Sequence, residues 1–320
     1  MSTPSDDSIR LFSGNAHRAL AEEVASYMAV TLGKATVSQF ADGEVHVAIE
    51  ESVRGKDIFI IQSLCQPVND HVMQLLVMVD ALKRSSAKSI TAVLPYYAYA
   101  RQDRQDRPRT PITAKLVADI IVASGVDRVM AMDLHAAQIQ GFFQVPLEHL
   151  YASRVMVDAM RRTAGTGIDE VVIVAPDAGG VERARWASKK LGTGLAIIDK
   201  RRSKPNIAEV MHVIGDVEGH DAYIVDDMID TAGTLCSAAI ALKENGARRV
   251  FAFATHGLLN GPAVDRIMAS DLEQVYVTNT IPLHADAAAC PKIAVTSVGP
   301  TLGEAIKRVH VESSVSSLWV

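Results

Sequence analysis

Residues 221–234, Asp-Ala-Tyr-Ile-Val-Asp-Asp-Met-Ile-Asp-Thr-Ala-Gly-Thr, join an apolar strand to a helix through a small acidic turn. Ala222 to Val225 is a short β-favouring run of the kind that is buried on both faces, and it is expected to stop at Asp226 and Asp227, whose carboxylates then cap it. From Leu235 on, Ala238, Ala239 and Leu242 recur at helical spacing until Asn245-Gly246, which puts the turn Asp230 to Thr234 at a helix N-terminus. Small residues and two hydroxyls there leave backbone N–H groups open to an anion, and the helix dipole favours negative charge. Two acids lining the same pocket would repel a phosphate, so they are expected to face a neutral polyol or a metal one sugar-length away. A ribose phosphate fits that division. The stretch is neither a Walker loop, since no Gly-Lys-Ser/Thr follows, nor the Gly-x-Gly-x-x-Gly of dinucleotide binders.

Asp-Asp-x-x-Asp-Thr-x-Gly-Thr after a buried strand resembles the diphosphoribosyl-binding motif of type I phosphoribosyltransferase-like proteins. Working outward, 320 residues at 48% hydrophobic and 22% charged are enough for two α/β domains with a large core. A formal charge of -5 argues against a general nucleic-acid binder, which needs a basic face. Cys65, Cys236 and Cys290 form no close pair and no metal-type spacing, which suggests a reducing compartment. The N-terminus is polar and no run is long enough to span a bilayer, so a cytoplasmic protein without a membrane partner is expected.

The rest of the chain alternates strand and helix. Ile9 to Phe12 reads as a strand, His17 to Met28 as a helix, and Ala35 to Ile49 as two strands around an Asp42-Gly43-Glu44 hairpin turn. Residues 56–61 form a buried strand, Asp70 to Lys83 a helix and Ser89 to Leu94 the next strand. The run 101–109 is too charged and proline-marked for a core element, and it precedes a helix Thr113 to Ala123 and a strand Arg128 to Met132. Residues 81–93 align without a gap on 241–253, and 56–61 match 220–225. The plan is therefore repeated, with Gln62-Ser63 standing where the second copy has Asp226-Asp227. Expected are two tandem phosphoribosyltransferase-like α/β domains, 1–150 and 151–304, each a mainly parallel sheet flanked by helices, with the tail 305–320 packing on the first. The shared patterning of α/β chains is the alternative to duplication.

Three further features carry chemistry. Asp199-Lys200-Arg201-Arg202-Ser203-Lys204 follows the strand Leu195 to Ile198 and puts clustered cations on a strand-end loop, where they could neutralise charge developing in phosphoryl transfer. His135 ends Asp133-Leu134-His135, and Asp177 lies in Ala175-Pro176-Asp177-Ala178-Gly179-Gly180; both follow strands, where ligands gather in such sheets. Magnesium prefers oxygen ligands, so composition alone does not select His135.

Together with Phe40-Ala41-Asp42-Gly43-Glu44, Tyr99-Ala100-Arg101-Gln102-Asp103-Arg104 and residues 133–143, these motifs resemble the class I ribose-phosphate diphosphokinase family along nearly the whole chain. The resemblance implies transfer of the β,γ-diphosphate of ATP to the anomeric hydroxyl of ribose 5-phosphate, releasing AMP. It implies that Asp230, Thr231, Ala232, Gly233 and Thr234 hold the 5-phosphate, and that Asp226 and Asp227 face the ribose hydroxyls or a Mg2+ ion. Arg101 and Gln102 would contact ATP, Asp42, Gly43 and Glu44 would reach the adenine end from a neighbouring subunit, and His135 and Asp177 would touch Mg2+. Lys200 and Arg202 would be the catalytic cations. A homohexamer controlled by phosphate and ADP is implied, with Ser52, Arg54 and the 314–316 tail as the phosphate-site residues. The chain departs from the family pattern at Ala41, Thr110, Ala178 and Gly257. A phosphoribosyltransferase would share the central loop without the two cationic clusters, and a non-catalytic regulatory subunit would have lost cations or acids that this chain keeps.

Overall fold

The computed structural model describes residues 8–201 and 210–318, with Lys200, Arg201 and Val210 described in backbone only. It divides into two compact units, one comprising residues up to Tyr151 with Thr280–Pro282 and the segment from Val298, the other Ala152–Asn279 with Leu283–Ser297. Among the described residues no helix is long and apolar enough to cross a membrane.

In the first unit, β1 (Ile9–Ser13), β4 (Asp57–Ile61), β5 (Ser89–Leu94), β6 (Arg128–Met132) and β7 (Leu147–Leu150) form a sheet in the order β1-β4-β5-β6-β7, parallel throughout. Its inner strands β4 and β5 are apolar and buried almost from end to end, as strands covered on both faces must be. β2 (Ala35–Gln39) and β3 (Val45–Ile49) make a separate, partly exposed antiparallel hairpin, and helices α1 (Arg18–Met28), α2 (Val68–Arg84) and α3 (Thr113–Ser124) complete the contiguous part. The C-terminal helix α9 (Gly299–His310) packs on α1 through small residues: a Cβ at Gly303 would stand 2.5 Å from the Tyr27 ring, and one at Gly299 would strike the Glu23 side chain. His310 fastens its end, with Nδ1 3.0 Å from Asp57 Oδ2 and Nε2 3.1 Å from Ser8 Oγ.

The second unit holds a seven-stranded sheet built from β8 (Val171–Ala175), β9 (Gly194–Arg201), β10 (Val210–Ile214), β11 (Asp221–Ile229), β12 (Arg249–Gly257), β13 (Leu272–Thr278) and β14 (Ile293–Thr296). The order is β10-β9-β8-β11-β12-β13-β14, and only the β9/β10 pair is antiparallel. Side chains alternate between two buried layers. Ile173, Tyr223, Val225, Phe251 and Phe253 pack with Met156, Met160 and Ala184 from α4 (Ser153–Ala164) and α5 (Val181–Leu191). Val174, Ile224 and Val250 pack with Leu235, Ala238 and Leu242 of α6 (Gly233–Glu244) and Ile267 of α7 (Ala263–Ala269), while α8 (Ala285–Ala289) adds Ala287. The chain runs outward from β8 in one direction and from β11 in the other, so the switch point lies between these two strands. Ligands of open α/β sheets bind there, at the carboxyl ends.

The repeat read in the sequence recurs as a set of matching hydrogen bonds. The N–H of Ala87 donates to Leu82 O at 3.2 Å, and that of Ala247 to Leu242 O at 3.0 Å. Gly55 donates to Ser86 O and Gly219 to Gly246 O, Lys88 to Lys56 O and Arg248 to His220 O. Ser86 and Gly246, at equivalent helix ends, both take the left-handed conformation, at φ 64° and 86°. The copies diverge where function begins. Gln62 is fully buried, its Oε1 accepting from Ala16 N and its Nε2 donating to His71 O and Gln74 Oε1, so a neutral plug stands where the second copy has an acid.

Three expectations need correction. β11 does not stop at Asp226; it continues to Ile229 because β12 stays paired with it through Asp226↔Ala254 and Ile229↔Gly257, after β8 has left at Ile224↔Val174. The acids are thus part of a strand with one side freed rather than a cap beyond it. The helix starts at Gly233, not Leu235, so the turn proper is Asp230 to Ala232. Lys200 and Arg201 belong to β9, paired with Met211 and Val210, so the cationic segment begins on a hairpin strand. Arg202 lies outside the described residues.

Candidate active site

The carboxyl end of β11 carries the acidic pair. Asp227 is almost fully buried, whereas 30% of the Asp226 side chain is open to solvent. Asp226 Oδ1 accepts the Asp227 N–H at 2.8 Å, and Arg183 Nη1 from α5 stands 3.8 Å from Oδ1 of both acids. One guanidinium at that distance only partly offsets two carboxylates. Burial, and then the charge of Asp227, push the Asp226 carboxyl well above the usual carboxylate range, to about 8. A group held this way favours whatever supplies positive charge or hydrogen-bond donors to it.

Five residues on, the turn presents the opposite potential. Ala232 is left-handed at φ 58° and is followed by helical Gly233, an arrangement that turns successive N–H groups to one side. Among the described residues, the N–H groups of Thr231, Ala232, Gly233 and Thr234 meet no acceptor, as the first turn of a helix requires. Four open donors at the start of a twelve-residue helix suit a dianionic phosphate. Asp177, after β8, is exposed and uses Oδ1 to accept the Gly180 N–H at 3.0 Å, which shapes the entry to α5.

Asp42, Gly43, Glu44, Arg101, Gln102 and His135 lie in the first unit. Asp42 Oδ1 accepts the Glu44 N–H at 3.1 Å and Gly43 has φ 92°, so the exposed Asp42-Gly43-Glu44 tip is an ordinary tight turn, next to Phe40, which is 54% exposed. Arg101 and Gln102 are exposed. Gln102 is already engaged, its backbone carbonyl accepting from Ala114 N at 3.2 Å and its side-chain oxygen accepting from the Thr113 hydroxyl, which braces the start of α3. Gln138 Nε2 donates to Asp103 Oδ2 at 2.7 Å and so ties that segment to the one after β6. His135 is exposed, and its predecessor Leu134 donates its N–H to buried His149 Nε2 at 3.0 Å.

Among the described residues no group of three His, Cys, Asp or Glu side chains could hold a metal by itself. What the structure offers is single hard oxygen donors, Asp177 and the Asp226–Asp227 pair. That fits an ion such as Mg2+, which takes one or two carboxylates and completes its shell with water and substrate phosphate.

Arg183 was not singled out by sequence reasoning, and neither were Asn260 and Arg266. Asn260 Nδ2 donates to Asp230 Oδ1 at 2.9 Å, and Arg266 Nη1 donates to Thr231 O at 2.9 Å. The available signal was positional: Arg183 lies one turn into the helix after the Asp177 loop, and the other two follow the strand next to β11.

The chain matches the family described as the N-terminal domain of ribose phosphate pyrophosphokinase over residues 9–125, and the phosphoribosyl synthetase-associated domain over residues 200–320. A ribose-phosphate pyrophosphokinase of Chromobacterium violaceum is 54% identical over 98% of this chain and 95% of its own. One of Helicobacter pylori is 54% identical over 97% and 96%. The crystal structure of phosphoribosylpyrophosphate synthetase from Mycobacterium smegmatis superposes with a TM-score of 0.90 at 42% identity, covering 96% of this chain and 100% of that one. Agreement of sequence and fold over nearly the full length of such relatives leaves one assignment: the chain belongs to the ribose-phosphate pyrophosphokinase family.

Proposed function

We propose the following division of labour for the reaction this enzyme catalyses, the transfer of the β,γ-diphosphate of ATP to the anomeric hydroxyl of ribose 5-phosphate in nucleotide biosynthesis. The observation that carries it is the sequence of environments along one strand end: an acidic pair with Asp227 buried and Asp226 half-buried, then four open backbone donors. The 5-phosphate sits on the N–H groups of Thr231 to Thr234. The ribose hydroxyls donate to Asp226 and Asp227, which fixes the sugar at both ends.

The anomeric oxygen attacks the β-phosphorus. A new O–P bond forms, the bond from the β-phosphorus to the bridging α,β oxygen breaks, AMP leaves and the hydroxyl proton is released. Arg101 and Gln102 hold ATP, and Asp42 to Glu44 of a neighbouring copy meet its adenine end. Lys200 and Arg202 are the catalytic cations of this reading, supplying positive charge against the negative charge that develops on the transferring group. Asp177 and His135 would each touch a Mg2+ ion, which when bound neutralises charge on the polyphosphate. Asp177 suits that ion better than His135 does, because Mg2+ prefers oxygen.

The working protein on this reading is a cytoplasmic homohexamer answering to phosphate and ADP, with Ser52, Arg54 and residues 314–316 at the phosphate site. In support of an ordered tail, Val315 is buried and Arg308 Nη1 donates to Ser314 O at 3.2 Å. A coupled assay of AMP release from ATP tests the proposal: release should require ribose 5-phosphate, and release that ignores the sugar would refute it.

A further inference from the structure

The stretch from the end of β12 into α7, residues 258–266, holds the 5-phosphate turn from behind, one carbonyl after another. Ile229 O accepts from the N–H groups of Leu258 and Leu259, both at 3.0 Å; Asp230 O accepts from Asn260 N at 3.0 Å; Thr231 O accepts from Arg266 Nη1 at 2.9 Å. Asn260 also binds the Asp230 carboxylate, at 2.9 Å. In a trans peptide the C=O and the following N–H point in opposite directions. Pinning the carbonyls of residues 229, 230 and 231 toward α7 therefore turns the N–H groups of residues 230, 231 and 232 the other way. The last bond matters most, because Ala232 is a non-glycine residue at φ 58°, a conformation that an L-residue adopts only when its surroundings impose it. The Arg266 side chain is exposed, and its guanidinium would stand 3.3 Å from a Cβ at Gly233, so its charge lies beside the helix N-terminus as well as on the carbonyl.

The geometry points to Arg266, seconded by Asn260, as the positioning residue of the sugar-phosphate site: its hydrogen bond to the Thr231 carbonyl aims the Ala232 N–H into the cradle and holds the strained turn ready for the phosphate. This rests on the reading of Asp230 to Thr234 as the phosphate cradle. Arg266 makes no claim on the nucleotide, since it acts through one peptide plane of that turn. Its role differs from that of a surface arginine placed for solubility, which would leave substrate constants untouched.

The test compares Arg266→Met, Arg266→Lys and Thr234→Ala for the KM of ribose 5-phosphate, the KM of ATP and the thermal midpoint without substrate. A charged hydrogen bond of this kind is worth about tenfold or more, so Arg266→Met should raise the ribose 5-phosphate KM roughly tenfold with the ATP KM within twofold. Arg266→Lys, which keeps a cationic donor, should recover most of the loss. Thr234→Ala keeps the backbone donor but removes the hydroxyl that the turn adds beside its four N–H groups, and so reports on the cradle independently of Arg266: if it too leaves the ribose 5-phosphate KM unchanged, the phosphate reading fails and this assignment with it. If Thr234→Ala raises that KM and Arg266→Met does not, the cradle stands and the role of Arg266 is overturned. Equal defects toward both substrates in Arg266→Met, or no recovery in Arg266→Lys, would likewise overturn it.

Discussion

Replacing Asp226 by Asn should make the substrate-free protein more stable and less active, and the gain should depend on pH. Asn keeps the shape and the Oδ1 acceptor that binds the Asp227 N–H, so the change removes charge and little else. Burial and the neighbouring Asp227 hold the Asp226 carboxyl up to about 8. An acid whose folded-state pKa is raised binds its proton more tightly folded than unfolded, so stability falls as pH rises from about 4 to about 8 and stays reduced above that. Losing a proton near pH 8 instead of near pH 4 corresponds to at most about 5 kcal/mol. With 30% of the side chain open to water and Arg183 at 3.8 Å, about 2 kcal/mol is the figure expected at pH 9. For a unit of this size that amounts to about 5 °C in Tm, against about 1 °C at pH 5. Scanning calorimetry at the two pH values measures it, and the ribose 5-phosphate kcat/KM should fall about 10-fold to 100-fold in the same variant. A variant no more stable than the parent at pH 9, or one that gains equally at pH 5, would refute the reasoning.

Three other outcomes are expected. Lys200→Ala should lower kcat roughly 10²- to 10³-fold with both KM values within a few-fold, and Arg202→Lys should also be poor because an ammonium lacks the planar fork; KM changes at constant kcat would show ground-state binding instead. Tyr223 is fully buried and its hydroxyl has no hydrogen-bond partner among the described residues, so Tyr223→Phe should gain about 1 kcal/mol in denaturant melts, and a loss would mean that the hydroxyl is satisfied. For Asp221, burial pulls the carboxyl up, but hydrogen bonds from Arg249 and Arg248 more than offset it and hold it at about 2. Its contribution is therefore full above about pH 4 and fades toward pH 2, so Asp221→Asn should cost about 2 kcal/mol at pH 7 and about half that at pH 3.

What was legible beforehand follows the range of the interactions involved. Ser89–Leu94 and Arg128–Met132 fold where their apolar runs begin and end, because strands buried on both faces need no partner to be recognised. The end of β11 is not legible locally, since two acids look like a stop and only the pairing with β12 carries the strand to Ile229. The turn was recognisable from its small residues, but the left-handed Ala232 was not, because alanine gives no hint of positive φ and the cause sits 34 residues later in Arg266. Arg183 was hidden for the same reason: its partners at 226 and 227 come from another strand, and a charge on a helix after a glycine pair looks like any solvated residue.

The central claim is that the open amides of residues 231–234 hold the sugar's phosphate while Asp226 and Asp227 hold its hydroxyls. A crystal structure with ribose 5-phosphate bound tests it most directly. Phosphate oxygens are expected at about 2.7–3.2 Å from those N–H nitrogens, with the ribose hydroxyls on the two carboxylates. A sugar phosphate bound with its phosphate on other groups, or turned so that the phosphate meets the acidic pair, would contradict it.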